Sequence, residues 1–184
     1  MSGLQQTTPV IGIFASDKGP GDPERASLMG EAGRLFARRG VRLVCLAEND
    51  ALPVPLITAA RAAGGTVDVL ADASIVLPPA LANVPVSVVP ERAARHAQLA
   101  AMSTILVVLP GSLASATALF ETWSSTPSRP IVFLNRHRAF EVLRGFAGDV
   151  LSHAVPGYDR NLQFADTVED LWNKVNWLLQ QQTA

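Results

Sequence analysis

The chain has 184 residues, 48% of them hydrophobic and only 17% charged, with a formal net charge of -1. That length fits one domain with a sizeable core, and near-neutrality removes the electrostatic case for nucleic acid or an anionic membrane as partner. The single cysteine, Cys45, excludes an internal disulfide, and its apolar surroundings (Val41, Leu43, Val44, Leu46) point to a buried thiol. Met1 to Pro9 lacks the basic and apolar regions of a signal peptide, and no apolar stretch has the length of a membrane span. The expected location is the cytoplasm.

In chain order, the apolar run Val10 to Ala15 reads as a buried strand, followed by the polar loop Ser16 to Gly21. Asp22-Pro23-Glu24 has the form of a helix start, with Asp as cap and Pro in the first turn. Leu28, Ala32, Leu35 and Phe36 recur at helical spacing, and Arg38-Arg39-Gly40 supplies a stop. A strand over Val41 to Leu46 and a helix over Leu52 to Ala63, closed by Gly64-Gly65, come next. Thr66 to Leu70 is a third strand. Ala71 to Pro85 is the least periodic segment. Val86 to Val89 reads as a short strand, Glu91 to Met102 as helix, and Thr104 to Leu109 as a strand broken by Pro110-Gly111-Ser112. Leu113 to Trp123 returns as helix, Ile131 to Leu134 as strand and Phe140 to Phe146 as a short helix. Gln163 to Ala165 is an edge-strand candidate. Val168, Leu171, Trp172, Val175 and Leu179 mark the closing helix. Strands alternating with helices imply a three-layer, Rossmann-like α/β fold: a parallel sheet of six or seven strands with helices on both faces, in one domain over 1–184.

In such sheets a ligand crevice lies beyond the carboxyl ends of the strands. That singles out Ser16 to Gly21, Ala47 to Leu52, the helix with Arg92 and Arg95, and Pro110 to Thr117. At the last of these a buried strand stops, small residues turn the chain and a helix begins. Free backbone N–H groups there favour an anion, and Ser112, Ser115 and Thr117 add hydroxyls. The plainer alternative is that Ser112 only caps the helix. Neither this turn nor Gly19-Pro20-Gly21 is a P-loop or a dinucleotide fingerprint.

Several segments carry a family resemblance in order: Asp22-Pro23 with Leu28-Met29-Gly30, Leu35 to Val41, Ala59 to Gly65, and Arg95 fifteen positions before Pro110-Gly111. Over about Val10 to Ile131 the chain resembles the "lonely guy" and molybdenum-cofactor-carrier-like superfamily. Its enzymes cleave the N-glycosidic bond of nucleoside 5′-monophosphates with an arginine and a PGGxGTxxE loop. The resemblance implies a phosphate at Pro110, Gly111, Ser112, Leu113, Ala114 and Ser115, Arg95 beside it, and a homodimer. The departures fall in the cleft. The family's second and third glycines stand here as Ser112 and Ala114, its threonine as Ser115, and its glutamate as Ala118. Glu121 lies one turn further on, rotated about 60° and displaced about 4.5 Å along the helix. The glycine-rich loop after strand two aligns with Leu46 to Val54 and has no glycine, which is expected to restrict positive φ. Loss of a working carboxylate typically costs a factor of about 10² to 10⁴ in rate.

Among the remaining candidates, His96, His137 and His153 share no metal spacing. His96 follows Arg95 on a helix, points about 100° away and is expected at the surface or an interface. A nucleophile elbow is missing its final glycine. A lysine-decarboxylase reading fails because neither Lys18 nor Lys174 has a pyridoxal-phosphate context. Arg92 and Arg95 share a helix face and suit either a phosphate or a dimer salt bridge. Trp172 and Trp177 point to different sides of their helix, one to the core and one to a subunit contact. The expected function is binding of a small phosphorylated ligand, nucleotide-like or pterin-like, without cofactor or metal. Ser16, Asp17, Lys18, Glu48, Asn49, Arg95 and the 110–115 turn would line its site. The alternatives are a phosphoribohydrolase using Arg95 and Glu121, with Glu48 as another substitute acid, and a non-catalytic subunit.

Overall fold

The structure, a computed structural model, describes residues 8–15 and 22–182. Its elements are β1 (Val10–Phe14), α1 (Pro23–Arg38), β2 (Arg42–Ala47), α2 (Val54–Ala62), β3 (Val67–Ala71), β4 (Val86–Val88), α3 (Arg92–Met102), β5 (Ile105–Val108) and α4 (Leu113–Ser125). They continue with β6 (Ile131–Leu134), α5 (Glu141–Phe146), α6 (Ser152–Ala154), α7 (Tyr158–Asn161), β7 (Leu162–Ala165) and α8 (Val168–Gln182). The helix starts follow local chemistry. Asp22 caps α1 by accepting from the Glu24 amide at 2.8 Å, and Glu91 caps α3 by accepting from Ala93 and Ala94. Gly40 (φ +71°) and Gly64 (φ +80°) follow α1 and α2 in the left-handed backbone that glycine adopts without strain. The segment between β3 and β4 holds only a 3-10 turn at Pro79–Leu81. The chain between β6 and β7 is more broken than expected, with a 3-10 turn at Arg136–Arg138 and a π-helical turn at Ala147–Leu151 beside its short helices.

All seven strands are parallel, in the order β4-β3-β2-β1-β5-β6-β7. Successive strands first run outward from β1 on one side, and the chain then crosses back through α3 to lay β5 on the other. The order reverses between β1 and β5, which is where a ligand crevice forms in open sheets.

Strand alternation sorts the core into two layers. Ile11, Ile13, Leu43, Cys45, Val69, Ile105 and Val107 face α1, α2 and α8, meeting Phe36, Leu56 and Leu171. Phe14, Val44, Leu46, Leu106, Val108, Ile131 and Phe133 face α3 and α4, meeting Leu99 and Leu119. Trp172 joins the first layer edge-on to Phe36, with the Arg39 guanidinium 5.3 Å from its ring centre, while Trp177 is exposed. Cys45 is fully buried, and burial, assisted by Asp68, pushes its thiol up beyond the reactive range. Among the described residues no helix is long and apolar enough to cross a membrane.

Candidate functional site

The first group of polar residues is buried rather than open. Glu48 directly follows β2, and α3 carries Arg95 and His96; all three are at most 5% exposed. Arg95 Nε and Nη2 donate to Glu48 Oε2 at 2.9 and 2.6 Å, and Nη1 donates to the carbonyls of Val89 and Pro90. His96 Nε2 lies 2.9 Å from Glu48 Oε1, and its Nδ1 lies 3.3 Å from Glu121 Oε2. Burial alone would push the Glu48 carboxyl up, but the hydrogen bonds and charges of His96 and Arg95 outweigh it and hold it below the ordinary glutamate range. The expectation that His96 sits at the surface is thus corrected. The 100° between adjacent helical residues sends Arg95 and His96 to the two oxygens of one carboxylate, and Glu48 at the strand end lies between them.

Arg92, one turn earlier, stands 3.1 Å from the half-exposed Glu121, an ion pair whose angles do not make a hydrogen bond through Nε. The two arginines of one helix face therefore have different partners. The loop after β2 also departs from expectation. It has no glycine, yet Asn49 and Asp50 take left-handed backbone, at φ 53° and 59°. Glu48 and Ala51 exchange both backbone hydrogen bonds around this two-residue turn, the geometry that calls for two positive φ values. Asn and Asp tolerate that region better than other side chains, and Asp72 accepts from the Asn49 amide at 3.0 Å.

The turn at 110–117 uses its hydroxyls internally. Ser112 caps α4, accepting from the Ser115 amide at 3.4 Å. Ser115 donates back to the Ser112 carbonyl at 2.8 Å, and Thr117 to the Leu113 carbonyl at 3.0 Å. Leu113 points outward, while Ala114, Ser115 and Ala118 close against Phe14, Leu46, Glu48 and Pro53. The space left there is about 10 Å³, near the least that holds one water. Ala118 is buried in this contact. Ser16, Asp17 and Lys18 lie outside the described residues.

A far larger cleft, of about 530 Å³, opens beside this corner. Pro110 after β5, Arg136, His137 and Ala139 after β6, and Asp22, Glu24, Arg25, Leu28 and Glu31 of the α1 segment line it. Its volume is that of a small-molecule site. Of the described residues expected to bind ligand, Pro110 alone lines it. Arg136 and His137 had a signal in the sequence: three consecutive basic residues, Arg136-His137-Arg138, directly after a fully apolar strand.

Fold and cleft together define a doubly wound, Rossmann-like α/β protein with its crevice at the strand-order reversal. That is the fold of the molybdenum cofactor carrier protein from Chlamydomonas reinhardtii, which aligns at TM-score 0.72 and 21% identity over 95% of this chain and 99% of that one. The molybdenum cofactor binding protein from Rippkaea orientalis aligns at TM-score 0.69 and 13% identity, over 95% and 99% of the two chains. DNA processing protein A from Helicobacter pylori, a single-stranded DNA binder, aligns less well, at TM-score 0.59 and 13% identity over 95% and 82%. No protein-family model and no curated protein matches the sequence. The resemblance carried by the sequence therefore holds at the level of the fold.

Proposed function

We propose that this chain is a binding protein for a small phosphorylated molecule, nucleotide-like or pterin-like, held in the cleft beside β5 and β6 and not turned over there. The contrast between the two spaces carries this reading. The corner where the enzymes of the resembled family work is reduced to about 10 Å³, and its arginine is committed to Glu48, whereas the neighbouring cleft offers about 530 Å³ with a mixed polar wall, Arg136 and His137 on one side and Asp22, Glu24 and Glu31 on the other. A guanidinium with a buried carboxylate on one side and two carbonyls on another has little left for a phosphate. Glu121 is held near Arg92 and His96 and does not take the place of the missing helix carboxylate. Two of the structural neighbours are by name a molybdenum cofactor carrier and a molybdenum cofactor binding protein, which supports trying pterin-like phosphates beside nucleoside monophosphates as first ligands.

Calorimetric titration tests the reading. Saturable binding of one of these compounds, unchanged in Arg95→Lys, supports it. No heat at millimolar ligand, or release of free base from AMP, overturns it. The same reading includes a homodimer, to be checked by light scattering at micromolar concentration.

A further inference from the structure

The mouth of the large cleft is bridged by two of its own polar side chains. His137 Nε2 lies 2.5 Å from Glu24 Oε1, joining the loop after β6 to the first turn of α1. Both side chains are about two-thirds exposed, so this is a bridge in contact with water. The loop holding His137 has an unusual shape. His137 and Arg138 adopt left-handed backbone, φ 53° and 61°, without glycine. Burial does not account for it, because both side chains are exposed.

The loop is instead pinned from behind by buried Asn135. Its amide donates to the Ala165 carbonyl at 2.7 Å, its Nδ2 donates to Glu141 at 2.8 Å, and its Oδ1 accepts from the Phe140 amide at 2.7 Å. The turn is thereby fixed with Arg136 and His137 on the cleft wall. Backbone held in this region by surrounding structure is a feature of ligand clamps.

Resting on the proposed function, we infer that the Glu24–His137 bridge marks an anion subsite, in which the Glu24 carboxylate stands where the phosphate of the ligand binds. Phosphate carries more charge and more acceptor oxygens than a carboxylate, and an exposed carboxylate–histidine contact offers weak competition. Beyond the subsite the wall is apolar at Leu28, Pro110 and Ala139, and Glu31 provides an acceptor. The ligand is therefore a phosphorylated compound with a flat or apolar middle and a donor group, an amine or a hydroxyl, at its other end.

Inorganic pyrophosphate is the probe for the subsite, titrated calorimetrically into the full chain and three variants. Glu24→Gln should bind about threefold more tightly, the fold-change of a surface ion pair removed as competitor. His137→Gln should bind about tenfold more weakly. In the double variant the gain from Glu24→Gln should vanish, because the carboxylate then has no histidine to release. Circular dichroism should be the same in all four, as both side chains are exposed. Tighter binding by Glu24→Gln that persists without His137 overturns the subsite and leaves the proposed function standing, as does equal binding by all four. No pyrophosphate binding by any of them overturns the subsite, while the proposed function still stands or falls on the AMP and pterin phosphate titrations.

Discussion

Arg95 spends its guanidinium on Glu48 and on two backbone carbonyls, and its side chain is almost wholly buried. Arg95→Ala would leave Glu48 buried with His96 as its remaining buried partner. Breaking such a pair from one side costs about 3–5 kcal/mol. We expect urea unfolding to show a loss of that order, and replacement of Glu48 and Arg95 together by methionine to cost much less. A mainly phosphate-binding arginine would show the reverse, lost affinity with stability intact. Acid should act on the same cluster. The folded Glu48 carboxyl lies below its unfolded value, so its contribution is complete above about pH 4.3 and is lost as pH falls through the folded value. Thermal melts between pH 6 and 3 should therefore fall less steeply for Glu48→Gln than for the wild type. None of this was readable from spacing. Residue 48 and residues 95 and 96 meet only because β2 and α3 pack together, and a one-dimensional pattern records neither that distance nor the sharing of one carboxylate.

Among the elements, α1 and α2 pack backbone to backbone at Gly33. A Cβ there would collide with the Leu56 carbonyl and come within 3.2 Å of the Ala60 amide. Backbone cannot move aside as a side chain can, so Gly33→Ala should cost about 1–3 kcal/mol through overpacking, despite alanine's better helix propensity. A raised melting temperature in that variant would show that the helices separate freely. The strands and long helices themselves were legible. Apolar runs such as Ile131 to Leu134 and capped starts such as Asp22-Pro23 have local causes, and the sheet buried on both faces keeps those runs unmixed. The loops were not. Asn49-Asp50 is a turn dipeptide whose left-handed backbone Asp72 supports, but His137 and Arg138 take theirs where Asn135 pins the loop from behind, and no turn residue there announces it.

For the whole molecule, the sheet order reverses between β1 and β5, and the parallel, doubly wound sheet that the sequence implied is the one observed. Which part of the crevice is open depended on side chains filling one corner and leaving its neighbour clear. Ala118 and the Glu48–Arg95 pair close the first, while the turn pinned by Asn135 puts Arg136 and His137 on the wall of the second, opposite Asp22, Glu24 and Glu31. Binding without turnover is the central claim, and phosphorus NMR reads both halves of it in one titration. With AMP and with a cyclic pterin phosphate, at least one phosphate resonance should shift or broaden to saturation as protein is added, and no new resonance should grow. Lines unchanged at millimolar ligand for both compounds, or a rising ribose 5-phosphate signal from AMP, would contradict it.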